Sequence, residues 1–393
     1  MIDLHDSFRD AWGLDPSVAF CNHGSFGACP TAVLAEQRRL QDLLEADPAH
    51  FFDRRLEGML DAAREALAGF VGADPGGLVF VRNATTGVGA MLRALPLAAG
   101  DEILVTDHGY EACRLAAVRV AGEAGASVGS ASIPSVVEGP GRVVEAVLEA
   151  VTPRTRVAVV DHITSPTALV FPVEALVAAL ADRGIEVIVD GAHGPGQVVV
   201  EAGRSGAAGY TGNCHKWMCA PKGAGFLWVR PDLRDRVVPP VTSHGEGYPR
   251  PGRSRLHDRF DWVGTEDPSP YLCVPAAIRH LGGLVEGGWP AILERNHRLA
   301  TAARERLAGL GLEPSGPEEM VGSMAALRLP GTVAPERARD EARRLIARLY
   351  DEHRVQTAVT WRRGSGDLMI RFSAHLHTTL GDAERLATAI AAL

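Results

Sequence analysis

The stretch Ile185-Glu-Val-Ile-Val-Asp190-Gly-Ala-His193, followed by Thr211-Gly-Asn-Cys-His-Lys-Trp217 and Gly225-Phe-Leu-Trp-Val229, decides the fold. The run IEVIV is short, apolar and β-branched, and it ends in a carboxylate. A short polar stretch then carries a lysine, and the apolar run GFLWV closes the block. Runs of this length bounded by glycine read as buried strands. A carboxylate at the end of such a strand points into the crevice where helix-covered sheets bind ligands.

The same alternation extends outward from about residue 56 to 230. LVFV at 78–81 precedes a helical pattern to Leu95, EILVT at 102–106 precedes one at 112–124, and RVAVV at 156–160 precedes one at 173–183. Strands alternating with helices imply a mainly parallel sheet. Residues 231–267 are rich in Pro, Gly and Arg and read as irregular, and a helical stretch follows at about 270–310. From Met320 a smaller α+β unit is expected. Its strands lie near 325–329, 355–359 and 368–372, and its helices near 335–350 and 382–393.

Composition narrows the function. The chain has 393 residues and a formal charge of −8, which argues against a nucleic-acid binder. A 46% hydrophobic content and 22% charged content suit a full core. No apolar run reaches membrane-spanning length, and the N-terminus lacks an apolar leader, so a cytoplasmic protein is expected. The six cysteines are scattered without a CxxC pair, which predicts reduced thiols and no metal site.

Of 40 basic residues only Lys216 and Lys222 are lysines. Lysine forms Schiff bases and arginine does not, so any amine chemistry rests on one of these two. Pyridoxal phosphate needs a lysine to bind its aldehyde and an aspartate to keep its pyridine nitrogen protonated. Lys216 and Asp190 supply that pair. Read singly, Lys216 is a surface lysine and Asp190 a helix cap. Asn83-Ala-Thr-Thr-Gly87 lies between a strand and a helix, where backbone N–H groups and the Thr85 or Thr86 hydroxyls suit a phosphate. No GxxxxGK[ST] is present, so a nucleoside triphosphate site is not expected.

Eight segments occur in an order that resembles the class V aminotransferase-like pyridoxal phosphate enzymes, nearest the isopenicillin N epimerase-like group. They are FCNHGSFG from Phe20, RNATTG from Arg82, TDHGY from Thr106, DHITSPT from Asp161, DGAH from Asp190, NCHKW from Asn213, Gly264-Thr265, and IRFSAH from Ile370. The resemblance implies an α/β architecture of the pyridoxal phosphate-dependent transferase type I fold. Its parts would be a substrate-bordering segment at 1–30, a large domain at 31–267, and a connecting helix with a small C-terminal domain at 268–393. It implies Lys216 as the Schiff-base lysine, Asp190 as the pyridinium partner and His193 as the bond to the phenolic oxygen. Thr85, Thr86, Asn213 and His215 would be phosphate contacts, and Thr265 the phosphate ligand from the neighbouring subunit of a homodimer. Tyr110, or alternatively His108, would stack on the ring. Arg371 would grip the substrate α-carboxylate, with Asn22, His23 and Ser25 alongside.

The segment 350–370 contains no cysteine, so a persulfide-relay desulfurase is not expected. Chemistry at the α-carbon of an amino acid is: epimerisation, transamination or decarboxylation. A C–S β-lyase is the alternative, and a non-catalytic sensor or scaffold on the same fold is a further one. Side-chain recognition is expected from 22–26, 242–262 and 361–366. Arginines 250, 253, 255, 259, 362 and 363 are candidates for an acidic or bulky substrate, although charged loop residues more often face water.

Overall fold

The computed structural model describes residues 2–362 and 364–393, leaving Met1 and Arg363 outside. The first strand is the two-residue β1 (Ala19–Phe20). A large sheet takes β2 (Leu78–Val81), β3 (Glu102–Thr106), β4 (Ser127–Ala131), β5 (Thr155–Asp161), β6 (Glu186–Gly191), β7 (Gly209–Asn213) and β8 (Gly225–Val229). Later strands are β9 (Glu313–Pro314), β10 (Met324–Arg328), β11 (Val355–Gln356), β12 (Ala358–Trp361) and β13 (Leu368–Ser373).

The large sheet has the order β2-β8-β7-β6-β5-β3-β4. Strands β4, β3, β5, β6 and β7 pair in parallel, and β8 runs antiparallel to both neighbours. Successive residues of each strand enter opposite cores. Val79, Val81, Ile103, Val105, Val157, Val159 and Ile188 face the helices Ala84–Ala94 and Glu111–Ala124. Phe80, Leu104, Ala158, Val160, Val187 and Val189 face Leu56–Phe70, Pro140–Glu149 and Val173–Ala181. Burial on both faces is why these strands are continuous apolar runs and not alternating ones.

Two strands escape the sequence pattern. β4 lies at the sheet edge and is half exposed, so it needs no apolar run. β7 is central but reads Gly-Tyr-Thr-Gly-Asn. A side chain at Gly209 would strike Met91, and one at Gly212 would strike Phe226. Close packing selects small residues here and hides the strand. The expected strand at 355–359 is divided at Thr357, because β11 pairs with β1 while β12 pairs with β13.

The long helix Gly288–Ala308 leads to the second sheet, ordered β12-β13-β10-β9. Helices Ala338–His353 and Leu380–Ala391 pack around a core with Leu327, Ile370 and Phe372. Among the described residues no helix is long and apolar enough to cross a membrane.

Residues 231–267 hold the short helices His244–Gly247 and Arg255–Asp261. Their arginines are committed internally. Arg253 pairs with Glu57, Asp61 and Asp261, Arg250 with Glu57 and Asp258, and Arg255 and Arg259 with Glu246. Arg362 pairs with Asp107 at 2.6 Å. These groups are therefore not free to hold an acidic substrate, and Arg363 lies outside the described residues.

Candidate active site

The carboxyl ends of β5, β6 and β7 converge on one corner, placing Asp161 beside Asp190 in register and leading from Asn213 into the lysine turn. Cys219 closes that turn in the left-handed region, at φ 56°, and donates its N–H to the Lys216 carbonyl at 3.0 Å. Gly27 fits tightly against this turn: a side chain there would collide with the His215 carbonyl.

Lys216 Nζ lies 3.1 Å from His193 Nε2. Burial lowers the amine to about 8, and the Arg371 guanidinium adds to the effect. The Trp217 indole N–H donates to His193 Nδ1 at 3.2 Å. An indole can only donate, so neutral His193 carries its proton on Nε2. Burial and the nearby cations keep His193 neutral. His193 therefore presents an N–H toward the amine, the form needed to donate to a phenolic oxygen.

Asp190 accepts the Ala192 N–H at 3.0 Å on one oxygen and the Cys113 thiol at 3.0 Å on the other. Burial, followed by the Asp190 charge, pushes the Cys113 thiol well up, so it stays a donor. Asp161 is pushed well above the usual carboxylate range by burial and by Asp190. The two carboxylates lie side by side at the strand ends, and burial together with Asp190 favours the protonated form of Asp161. Sequence reading gave neither Cys113 nor Asp161 a role. The β5–β6 register was the available signal for Asp161.

Asn83 caps the helix Ala84–Ala94, accepting the Thr86 N–H at 2.9 Å. Asn213 Oδ1 accepts the Ala84 N–H at 2.8 Å and ties the helix start to β7. Thr85 reaches the Cys113 sulfur. His215 donates through Nδ1 to the Ala224 carbonyl at 2.7 Å, and burial lowers it to about 4. Neutral His215 therefore offers Nε2 as an acceptor, and it becomes a phosphate donor only by taking up a proton that a dianion would favour.

His108 is fully buried. Its Nδ1 bonds Thr167 Oγ1 at 2.7 Å, and its Nε2 faces the Ile133 and Pro134 carbonyls at 3.1 Å. Tyr110 starts the helix Glu111–Ala124 and is 48% exposed, so of the two it has a ring free to stack. Thr265 shares a cavity of ≈ 400 Å³ with Thr86 and Arg82.

Arg371 on β13 is 2% exposed and pairs with no carboxylate among the described residues. It donates to the Ser165 carbonyl at 2.7 Å, to Ser25 Oγ at 2.9 Å and to Asn22 Oδ1 at 3.3 Å. Ser165 was not anticipated, although it lies in the DHITSPT segment. His23 departs from the expected place. Its ring is wholly buried and both nitrogens are used, by His377 and by the Lys216 carbonyl, so it has no face to offer a substrate.

The Aminotransferase class-V family model matches residues 29–385. The chain belongs to this family. It is 36% identical to an isopenicillin N epimerase of Amycolatopsis lactamdurans, over 97% of this chain and 96% of that protein. It is 31% identical to an L-cysteine desulfhydrase of Arabidopsis thaliana, over 80% of this chain and 71% of that one. Among solved structures, the cystine C-S lyase C-DES superposes with a TM-score of 0.81 at 20% identity, covering 96% of this chain and 98% of that one. The shared fold is the large and small domain arrangement described above.

Proposed function

We propose that this enzyme holds an amino acid by its α-carboxylate on Arg371 and moves the α-proton with Lys216. The carrying observation is a buried guanidinium without a carboxylate, close enough to Lys216 to depress its amine. A buried charge is costly unless paired, so the site is built for an anion that arrives from outside. Bidentate pairing suits a carboxylate.

The cofactor is pyridoxal phosphate, and the corner fits it. Lys216 is a desolvated amine able to bind an aldehyde. Asp190 is a carboxylate at a strand end, held by two donors. His193 presents Nε2–H, and the capped start of the helix Ala84–Ala94 would offer its N–H groups to the phosphate. When bound, the cofactor supplies an electron sink for negative charge at the α-carbon. Asp190 would keep the ring nitrogen protonated, Tyr110 would cover the ring, and Thr85, Thr86, Asn213 and His215 would hold the phosphate. Lys216 is the base and the carrier that can return the proton.

Return of the proton to the other face gives epimerisation, the branch favoured by the near full-length likeness to an epimerase. β-Elimination of a thiolate is the second reading, supported by the desulfhydrase relative. Incubation with amino acids, dipeptides and cysteine S-conjugates, reading optical rotation, keto acid, thiol and carbon dioxide together, separates the branches. Sulfide release from free cysteine as the fastest reaction would reject epimerisation. Arg371→Ala should leave the cofactor's visible band intact. It should lower kcat/KM for amino acids by about one to two powers of ten, the loss of a charge-assisted pair. An unchanged kcat/KM would refute the carboxylate role.

A further inference from the structure

Behind the lysine turn lies a second group of histidines that the reaction itself does not use. His23, His375 and His377 are all buried. His23 Nε2 lies 3.0 Å from the Lys216 carbonyl, and His375 Nε2 lies 3.2 Å from the Trp217 carbonyl. His23 Nδ1 meets His377 Nε2 at 2.9 Å, and His377 Nδ1 meets Thr378 Oγ1 at 3.2 Å. The His23 and His375 rings stack at 4.2 Å.

The proton positions follow from one fact: a carbonyl can only accept. His23 must carry its proton on Nε2 to reach the Lys216 carbonyl, which leaves Nδ1 as an acceptor. His377 must then donate from Nε2, and its Nδ1 accepts from the Thr378 hydroxyl. His375 likewise donates from Nε2. Every link is neutral and has a single direction. The buried Arg295 fixes the far end, donating to the His375 and Thr378 carbonyls at 3.1 and 2.9 Å. Cys219 Sγ sits 3.6 Å from His23 Nε2 and 3.4 Å from His375 Nε2.

The group joins three separate parts of the chain. His23 comes from the N-terminal segment, whose Asn22 and Ser25 contact Arg371. His375 and His377 follow β13, which carries Arg371 itself. The segments that build the carboxylate site therefore also hold the lysine backbone. We propose that His23, His375 and His377 are positioning residues, which bracket the Lys216–Trp217 backbone and fix the lysine amine against Arg371. This rests on Lys216 being the cofactor lysine.

Histidine-selective ¹⁵N labelling of the cofactor-free protein should show Nε2–H tautomers for all three rings. In the holoenzyme, His23→Leu should keep the cofactor but lower kcat by about 10–100-fold, the scale of a small misplacement of reacting groups. It should also move the pH midpoint of the visible band. His23→Gln, which can place an N–H where Nε2 stands, should recover most of both. His23→Leu and His377→Leu should combine non-additively, because they break one chain of bonds. If His23→Leu does not fold, Thr378→Val decides, and it should shift the same midpoint by a smaller amount. An Nδ1–H tautomer on His23, an unmoved midpoint in folded variants, Gln no better than Leu, or one equivalent of zinc held by the purified protein would each overturn the proposal. Borohydride labelling of Lys216 in the unaltered enzyme tests the underlying reading separately.

Discussion

At the scale of single residues, the site fixes where its donors and acceptors point. Asp190 accepts from Cys113 and Ala192, burial and Asp190 push Asp161 beside it well above the usual carboxylate range, and His193 is locked as an Nε2–H donor by Trp217. Lys216→Ala should abolish the visible band and all turnover. Borohydride trapping and peptide mapping should place the label on Lys216, and a label on Lys222 would reject the assignment. Burial lowers the Lys216 amine to about 8 in the cofactor-free chain. Only the neutral amine attacks an aldehyde, and the neutral form grows as pH rises. Cofactor uptake by the cofactor-free protein should therefore quicken about tenfold per pH unit below 8 and level off above it. A plateau reached only near pH 10 would show an ordinary lysine. Asp190→Ala should keep weak cofactor binding and lose several powers of ten in rate, because a neutral pyridine is a poor sink. The chemical identities at this scale were legible, since two lysines leave little choice. The tautomer of His193 and the thiol bond of Cys113 were not, because both depend on contacts between distant segments.

At the scale of elements, legibility follows burial. Strands buried on both faces announce themselves as apolar runs, as β5 and β6 do. β7 does not, because Gly209, Thr211 and Gly212 are sized by what lies against them. The same packing gives a test at the phosphate corner. A side chain at Gly87 would meet Thr211 on β7, whereas one at Gly89 would meet only the flexible end of Arg93. Gly87→Ala should lower stability by roughly 1–3 kcal/mol as an overpacked contact, and it should weaken cofactor affinity because the helix start is displaced. Gly89→Ala, in the same helix, should be neutral or stabilising by up to about 1 kcal/mol from helix propensity. Thermal melts of both, with and without cofactor, read the difference. Equal effects would mean that the helix is not pressed against β7.

At the scale of the molecule, the chain's own surface raises the question of a second copy. Phe26 is 74% exposed, Tyr248 73%, Val241 58% and Tyr110 48%. Phe26 follows Ser25, a contact of Arg371, and Tyr110 opens beside Asp161, so part of this apolar surface borders the catalytic corner. A two-fold assembly would cover such a surface and lets one subunit complete the other's site. Light scattering should give twice the chain mass, and an active monomer with bound cofactor would refute the assembly. The origin of Thr265 can be settled by mixing. In a dimer of one Lys216→Ala subunit and one Thr265→Ala subunit, a site that borrows Thr265 from its neighbour is restored in the Thr265→Ala subunit, because that subunit keeps Lys216 and receives an intact Thr265. Random exchange makes half the dimers mixed, each with one restored site, so activity should recover to about one quarter of that of the unaltered enzyme. If Thr265 instead serves its own chain, the mixed dimer carries one site without a lysine and one without the threonine. Mixing would then give no more activity than the Thr265→Ala subunits bring, and the shared site would be excluded.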